Sequence, residues 1–297
     1  MTRKLKAVCF GEILYDVFPD KERIGGAPLN VASRLSSMGV STEMISKIGA
    51  DVEGNQLLYY LNSRNIKTGN ILKDEKYKTG MVNVSLSANG SATYEIKYPS
   101  AWDKIDVTQS MINSVEQSDA FIFGSLIGRD EVSRKALFKL IPQAKYRILD
   151  FNLRSPHYSK ELLKDLMQHS EFIKFNDEEL FEIAGILGSK YNSLEQNLLF
   201  IADNSNAKSI CVTKGRHGAV LLHDKTLYYN SGYKIAVKDT VGAGDSFLAT
   251  LIAKLMKGVL PQSALDQACA MGALVAGNIG ANPDISEETL ERFIHPK

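Results

Sequence analysis

Short apolar runs alternate along this chain with longer segments in which apolar residues recur every three or four positions. The runs KAVCFGEIL and TEMISKIG predict strands, and helices are predicted from about Pro28 to Met38 and from about Glu53 to Arg64. The alternation continues with DAFIFGS, a helix over about 130–140, YRILDFN, a helix near 160–169, EFIKFN and a helix near 177–187. Strands that alternate with helices predict an α/β fold with a parallel sheet.

The second half of the chain extends this pattern with three more strands and two long helices. The strands are SICVTKG, AVLLHD and TLYYN, and the helices run from about Ala243 to Lys257 and from about Gln262 to Ala276. The runs AFIFG and ICVT are apolar throughout, which is typical of parallel strands with both faces covered. We therefore expect a buried central sheet.

One region, MVNVSLSANGSATYEIKY, departs from this pattern, because its apolar and polar residues alternate singly on both sides of Asn89-Gly90. The alternation predicts an antiparallel hairpin, with Met81, Val84 and Leu86 as candidates for its apolar face. An isolated hairpin is only marginally stable in water, so further strands are expected from residues 12–24 or from a second subunit.

Composition and charge narrow the possible functions. The chain has 297 residues, of which 44% are hydrophobic. It has 35 Lys and Arg and 34 Asp and Glu, which gives a net charge of +1. A charge this small offers no attraction to nucleic acid or to an anionic membrane. No stretch approaches the roughly 20 apolar residues of a membrane span, and the apolar part of the N-terminus is too short for a signal peptide. The three cysteines lie singly in apolar runs, which predicts buried thiols and a cytoplasmic location.

Two common nucleotide-binding signatures are absent from the sequence. There is no G-x-x-x-x-G-K-[ST] segment and no G-x-G-x-x-G after the first strand, so neither a P-loop nor an ordinary dinucleotide site is predicted. The five histidines have no metal-ligand spacing, and surface or loop positions explain them better.

The segment DTVGAGDSF, residues 239–247, places three small residues and an acid directly before the apolar run FLATLIAKLM. Unpaired N–H groups and the positive end of the helix dipole attract anions at a helix start, and Gly242, Ala243 and Gly244 would leave room for a phosphate. Asp245 would then lie beside that phosphate, where it could accept a proton from an attacking hydroxyl. The alternative is that Asp245 only stabilises the first turn of the helix.

Three other segments allow both a structural and a functional interpretation. RIGGAPLNVASRLSSMG has paired glycines before Pro28 and Asn30, as an ordinary helix start also can. Asn176 and Glu179 are spaced as a capping box. The segment 213–218 ends a strand with two glycines, as a hairpin or the edge of a nucleotide pocket would. Each segment alone is compatible with both interpretations.

Taken together, these segments resemble the PfkB (ribokinase-like) family of carbohydrate kinases over essentially the whole chain. In chain order, the segments that carry the resemblance are GEILYD, GGAPLNVA, DFNLR, FNDEE, VTKGRHG, DTVGAGDSF and GANP. The resemblance implies transfer of the γ-phosphate of ATP to a sugar hydroxyl. It also implies a doubly wound, mostly parallel sheet flanked by helices in a single domain, residues 1–297, with a small β-sheet lid formed by about 12–24 and 78–103. Where lids of this kind pair across a two-fold axis, their exposed edges are buried and a homodimer results, and this arrangement is expected here.

The resemblance assigns catalytic and sugar-binding roles by position. Asp245 is implied as the catalytic base, and the anion hole is implied at Gly242, Ala243 and Gly244. The sugar hydroxyls are implied to bind Asp245 together with Asp16, Gly26 and Asn30. Carboxylates and amides suit this task because together they accept and donate hydrogen bonds.

The resemblance also implies ATP and Mg²⁺ as cofactors. Asn176 and Glu179 would help to organise Mg²⁺, with Glu179 acting indirectly. The residues implied around the nucleotide are Thr213, Gly215, Gly218 and Asn278. A monovalent cation, K⁺, is expected near Asp239 and Val241.

Within the family, the chain is most similar to fructokinases. The segments that carry this similarity are GEILYD, GGAPLNVA, FGSL, AWD and the segment from Asp150 to Arg154. SPHYS follows Arg154 where many fructokinase-like chains have a short segment that ends in Leu-Trp, so any role of that tryptophan is not carried over. Arg154 is expected to pair with a nearby acid, or else to contact a phosphate or a sugar. Fructose is the expected substrate; the alternatives are ribose, 2-keto-3-deoxygluconate or a nucleoside, or a catalytically silent sugar-binding regulator of the same fold.

Overall fold

Strands and helices alternate along the protein in the computed structural model, which describes residues 4–86 and 92–296. The strands are β1 (Lys6–Phe10), β2 (Leu14–Val17), β3 (Glu22–Gly25), β4 (Ser41–Gly49), β5 (Lys67–Asp74), β6 (Gly80–Leu86), β7 (Ala92–Ile96), β8 (Ala120–Gly124), β9 (Arg147–Asp150), β10 (Phe172–Asn176), β11 (Ser209–Thr213), β12 (Ala219–His223) and β13 (Thr226–Asn230). The α-helices are α1 (Ala27–Ser37), α2 (Val52–Ser63), α3 (Gln109–Gln117), α4 (Glu131–Leu140), α5 (Lys160–Gln168), α6 (Asp177–Leu187), α7 (Leu194–Asp203), α8 (Ala243–Met256), α9 (Pro261–Ala276) and α10 (Glu287–Ile294).

Nine strands form the central sheet, in the order β13-β12-β11-β10-β9-β8-β1-β4-β5. Neighbouring strands are parallel except β11 with β12 and β12 with β13, which confirms the predicted mostly parallel sheet. From β1 the chain first fills one side with β4 and β5, and then returns to fill the other side from β8 to β13. The strand order therefore reverses between β1 and β8, and ligands of such sheets bind at the carboxyl ends of the strands near this point.

Helices cover both faces of the central sheet. One face packs against α1, α2, α8 and α9, through buried residues such as Leu57 and Leu248. The opposite face packs against α3 to α7, through residues such as Leu163. The sequence pattern did not predict α3, α7, α10 or β5. In α3, burial is limited to Met111 and Val115, and β5 is largely exposed at the sheet edge, so the apolar pattern of both is weak.

A second, smaller sheet has four strands in the order β3-β2-β6-β7. β6 and β7 pair antiparallel, which confirms the predicted hairpin, although its turn at Asn89-Gly90 lies outside the described residues. β2 pairs with β6 in parallel and with β3 antiparallel. The strands β2 and β3 that complete the small sheet therefore come from the same chain, in the region around residues 12–24 that the sequence predicted.

The buried face of the small sheet differs from the predicted one at Met81. Val82 and Val84 are buried against neighbours that include Ile96, whereas Met81 is partly exposed. β6 and β7 pair without a break in register, so residues 82 and 84 share one face and residue 81 lies on the other. The prediction of Met81 for the apolar face is therefore wrong and that of Val84 is confirmed. The side chain of Leu86 lies outside the described residues.

All three cysteines, Cys9, Cys211 and Cys269, are buried and free, as predicted. Burial raises the pKa of each thiol above its ordinary value, so the thiols are protonated and unreactive at neutral pH. Of the helices that the structure describes, none is long and apolar enough to cross a membrane.

Candidate active site

The predicted site residues gather at the carboxyl ends of the central strands. The loop after β1 leads into β2 with Asp16, and β9 ends at Asp150. Helix α8 meets α1 through a hydrogen bond between Asp245 and Asn30. The candidate site therefore lies where the strand order reverses, with the small sheet beside it.

Helix α8 begins with the small residues that the sequence singled out. Gly242 is the N-cap and has a left-handed conformation with φ of 75°, and a Cβ at this position would lie 2.6 Å from Ala281. Glycine is therefore required by the backbone conformation and by close packing against the loop that follows α9. Within the described chain no side chain caps the first turn of α8. The N–H of Ala243 donates to the carbonyl of Thr240 at 3.2 Å, so the N–H groups of Gly242 and Gly244 are the ones available to an anion.

Asp245 lies in the first turn of α8, and its Oδ2 accepts a hydrogen bond of 2.8 Å from the amide of Asn30. Burial raises the pKa of Asp245 to about 6, and the negative charge of Asp150 acts in the same direction. The ammonium of Lys174, the hydrogen bond from Asn30 and the guanidinium of Arg154 oppose the rise. An acid with this pKa is mainly ionised at neutral pH and is basic enough to accept a proton.

Lys174 is a charged residue of the site that the sequence analysis did not select. It is buried in β10, with its Nζ 2.8 Å from Oδ1 of Asp150. A Cβ on Gly244 would lie 3.5 Å from the same Nζ, which places the ammonium beside the start of α8. Burial alone would lower the pKa of Lys174, but the charges of Asp150 and Glu179 outweigh it and keep the pKa above its ordinary value. The sequence signal that could have identified Lys174 was its single charge inside the apolar run FIKFN. Lysine is rarely buried unless it is paired, so a lysine in a buried strand indicates a charged partner.

Asn176 and Glu179 form the predicted capping box at the start of α6. Oδ1 of Asn176 accepts a hydrogen bond from the N–H of Glu179, and Oε2 of Glu179 accepts one from the N–H of Asn176, each at 2.8 Å. Oε1 of Glu179 accepts a third, from the N–H of Leu153 at 2.8 Å. Burial raises the pKa of Glu179 above its ordinary value. The structural role is thus present, and the role toward Mg²⁺ stays a prediction.

The residues around Lys174 fit a Mg²⁺ ion that is held mainly by phosphates and water. Oδ2 of Asp150 is buried without a hydrogen-bond partner in the described residues, and with Glu179 it offers the carboxylate oxygens that Mg²⁺ prefers. Among residues 4–86 and 92–296, no group of three or more His, Cys, Asp or Glu side chains could hold a metal ion. We therefore expect Mg²⁺ to depend on the phosphates of the nucleotide as ligands.

The predicted sugar ligands lie between the small sheet and α1. Asp16 is on β2, and burial raises its pKa while Arg154 acts against the rise. Gly26 is the N-cap of α1 with φ of 112°, and a Cβ there would lie 2.5 Å from the carbonyl oxygen of Glu12. Asn30 follows one turn later on the same helix. The chain thus brings a carboxylate, a helix start and an amide to one region.

The predicted nucleotide residues lie at and beyond the next strand ends. Thr213 ends β11 beside the last residue of β10. Gly215 and Gly218 have positive φ of 51° and 79°, and a Cβ on Gly218 would collide with the backbone of the following hairpin. Backbone packing therefore accounts for Gly218 without a ligand. Asn278 follows α9, and its side-chain amide donates to the carbonyl of Leu274.

The loop before α8 is tied to the small sheet by Asp239. Its carboxylate accepts hydrogen bonds from the N–H groups of Val241 and Gly280, both at 3.1 Å, and forms an ion pair with Arg23 of β3. Burial would raise the pKa of Asp239, but the hydrogen bonds and the ion pair hold it below its ordinary value. A monovalent cation near Asp239 and Val241 would share this carboxylate with Arg23.

The chain matches the model of the pfkB family carbohydrate kinases over residues 4–288. It belongs to that family. Among its relatives, Fructokinase-2 of Solanum lycopersicum is 27% identical over 305 residues, which cover 93% of this chain and 92% of the tomato protein. The resemblance drawn from the sequence motifs is therefore confirmed, and the protein is a carbohydrate kinase.

Solved structures of other kinases share its fold. Fructokinase from Vibrio cholerae O395, in its fructose, ADP and calcium ion bound form, has a TM-score of 0.84 at 24% identity and covers 98% of this chain and 99% of its own. An uncharacterized sugar kinase from Pyrococcus horikoshii, in complex with ATP, has a TM-score of 0.79 at 26% identity and covers 98% and 100%. The predicted doubly wound, ribokinase-like fold is confirmed.

Glu12 is a second buried acid of this kinase, and its Oε2 has no hydrogen-bond partner among the described residues. Burial raises the pKa of Glu12 from 4.5 to about 7, although Arg154 lowers it in part. Between these pH values the folded protein keeps a proton that the unfolded chain releases. The contribution of Glu12 to stability is therefore fully present below about pH 4.5 and is lost as the pH rises to about 7.

Glu12→Gln is expected to change the free energy of unfolding by less than about 1 kcal/mol near pH 5 and to raise it by about 1–3 kcal/mol near pH 8.5, because the amide carries no charge to bury. Denaturant unfolding at the two pH values measures the difference. Glu116→Gln, at an exposed position of α3, is the matched control. An equal effect of Glu12→Gln at both pH values would contradict the raised pKa.

Proposed function

We propose that this kinase transfers the γ-phosphate of ATP to a hydroxyl of fructose. The observation that carries the proposal is the start of α8, where Asp245 lies in the uncapped first turn and the ammonium of Lys174 lies alongside. A base, an anion-binding helix end and a cation are the parts that phosphoryl transfer needs. Fructose is the first choice of sugar because fructokinases align over nearly the whole chain.

In the proposed reaction, Asp245 accepts the proton of the attacking sugar hydroxyl, and the oxygen of that hydroxyl forms a bond to the γ-phosphorus. The bond from the γ-phosphorus to the oxygen of the β-phosphate breaks, and ADP leaves with the electron pair. The N–H groups of Gly242 and Gly244 at the start of α8 and the ammonium of Lys174 stabilise the charge on the transferring oxygens. Mg²⁺, when bound, neutralises phosphate charge; Asp150 would hold it, and Asn176 and Glu179 would help to organise it, with Glu179 acting indirectly.

The sugar is proposed to bind between the small sheet and α1. Asp16 would accept hydrogen bonds from sugar hydroxyls near Gly26, and Asn30 has a second amide N–H beyond the one it donates to Asp245. Residues 12–24 and 78–103 would close over the sugar as the lid of a single kinase domain. The ion pair between Arg23 and the loop before α8 supports this role, because it joins the small sheet to the catalytic helix. Two copies would pair through their lids.

ATP is proposed to lie along the strand ends next to α8, with Thr213, Gly215, Gly218 and Asn278 around it. The support is the place of Thr213, which ends β11 beside Asn176, so that the proposed nucleotide and Mg²⁺ residues adjoin. K⁺ is proposed near Asp239 and Val241, where it would stabilise the loop that leads into the anion hole. A cytoplasmic location is part of the same proposal.

The preferred sugar is identified by measuring ADP release with fructose, ribose, glucose, mannose, 2-keto-3-deoxygluconate and adenosine. We expect kcat/KM for fructose to exceed that for each other compound by at least about tenfold. A preference for 2-keto-3-deoxygluconate would instead point to its carboxylate bound by Arg154, whose side chain is exposed. ADP release with none of the compounds would favour the sugar-binding regulator. Repeating the same assays with an inert organic cation in place of K⁺ tests whether K⁺ raises the activity. Light scattering tests whether two copies of the chain form a dimer.

A further inference from the structure

The loop that follows α9 reaches the catalytic base through two asparagines. The side-chain amide of Asn282 donates to Oδ1 of Asn30 at 2.8 Å, and the amide of Asn30 donates to Oδ2 of Asp245 at 2.8 Å. An ionised carboxylate only accepts hydrogen bonds, so Asn30 must turn its NH₂ group toward Asp245 and its oxygen away from it. The group that meets this oxygen must then be a donor, and Asn282 supplies that donor.

The position of this loop does not depend on the side chain of Asn282. Nη2 of Arg34 donates to the carbonyl of Pro283 at 2.9 Å, and Nη2 of Arg64 donates to the backbone carbonyl of Asn282 at 3.4 Å. Arg64 also pairs with Asp284 at 2.8 Å. A change confined to the Asn282 side chain therefore leaves the backbone of the loop anchored on both sides.

We propose that Asn282 is a positioning residue for catalysis, whose amide holds Asn30 in the orientation that gives one N–H to Asp245 and leaves the other for the sugar. The inference rests on the proposed function, because it assigns Asn30 and Asp245 to the sugar and the proton. With the opposite orientation of Asn30, its oxygen would face the carboxylate of Asp245. The base would then lose a hydrogen bond and meet a repulsive partner.

Other charged groups also act on Asp245, and none of them is altered when Asn282 is changed. They are Glu12 after β1, Asp150 at the end of β9, Arg154 after β9 and Lys174 on β10. Arg34 on α1 donates to the hydroxyl of the neighbouring Ser246. A change in the titration of Asp245 in a variant that adds no charge at position 282 therefore reports the orientation of Asn30, whereas in Asn282→Asp the new carboxylate adds its own effect in the same direction.

Two variants that differ in whether they place an acceptor against Asn30 test the proposal. Asn282→Asp places an acceptor against the oxygen of Asn30, so we expect kcat to fall by about 10² and the acid midpoint of the pH profile to rise by about one unit. Asn282→Ser removes the amide without adding an acceptor charge, and its shorter side chain leaves room for a water that can donate to the oxygen of Asn30, so kcat is expected within about fivefold of the unchanged protein. Asn192→Asp, the same substitution at an exposed position away from the site, is the control and should leave both quantities unchanged.

Unchanged kcat and pH midpoint in Asn282→Asp would overturn the proposal. Equal losses of kcat in Asn282→Asp and Asn282→Ser would also overturn it, because they would mean that the residue serves only loop packing. If the unchanged protein phosphorylates none of the sugars, the proposed function fails separately. The orientation is then read without activity, by ¹³C NMR titration of the Asp245 carboxyl in the same variants. A midpoint that is equal in Asn282→Asp and in the unchanged protein would again overturn it.

Discussion

Asp245→Asn is expected to lower kcat by about 10² or more, while the affinity for ATP changes by no more than a few-fold. Asparagine keeps the volume of the side chain, and its oxygen can still accept the hydrogen bond from Asn30, so the start of α8 should keep its structure. What the variant loses is the group that takes the proton of the sugar hydroxyl. The loss should therefore fall on turnover rather than on nucleotide binding, as steady-state kinetics and ATP titration would measure.

The pH dependence gives an independent check on the same base. Burial and Asp150 raise the pKa of Asp245 to about 6, so kcat/KM should fall below that pH as the base becomes protonated and should level off above it. In Asp245→Asn this acid limb should be lost. Asp203→Asn, at an exposed position of α7, is the control for the amide substitution itself. Near-normal turnover in Asp245→Asn would rule out the role of the base.

Lys174→Met is expected to lower both the stability and the turnover. Methionine keeps the apolar stem but removes the ammonium, which leaves the carboxylate of Asp150 buried without its partner at 2.8 Å. Breaking a buried ion pair on one side costs about 3–5 kcal/mol of unfolding free energy. Loss of the cation beside the transferring phosphoryl group should lower kcat by about 10². Denaturant unfolding and ADP release at saturating substrates measure the two effects.

A second substitution separates the structural effect of Lys174 from the catalytic one. In the double variant Lys174→Met, Asp150→Asn, no buried charge is left unpaired at this position, so most of the lost stability should return. Turnover should stay low, because the ammonium and the Asp150 carboxylate proposed for Mg²⁺ are then both missing. If turnover recovers together with stability, Lys174 serves the fold alone and the catalytic assignment is wrong.

Local sequence was sufficient for most of the secondary structure and for the helix start to which we assign the proposed base. Apolar spacing predicted the strands and helices of the central sheet because the spacing reflects which face of each element is buried. The segment 239–247 predicted a helix start open to an anion, and α8 begins there with Gly242 at φ of 75°. The capping box of Asn176 and Glu179 was also predictable, since its partners are three residues apart.

The sequence alone left the apolar face of the small sheet undecided. Side chains alternate with a period of two along a strand, so an error of one residue exchanges the two faces. Pairing of β6 with β7 and with β2 removes that ambiguity, and it places Val82 and Val84, rather than Met81, on the buried face.

By itself, the sequence determined most of the elements, the start of α8 and the position of Asp245, because each depends on neighbours within a few residues. The tertiary structure alone decided which distant groups act on that base. Asn30 is 215 residues from Asp245 and 252 residues from Asn282, and Lys174 meets Gly244 across two separate elements. Local patterns specify burial and backbone conformation, whereas a hydrogen bond or a charge pair between distant residues exists only once the sheet order and the helix packing have brought them together.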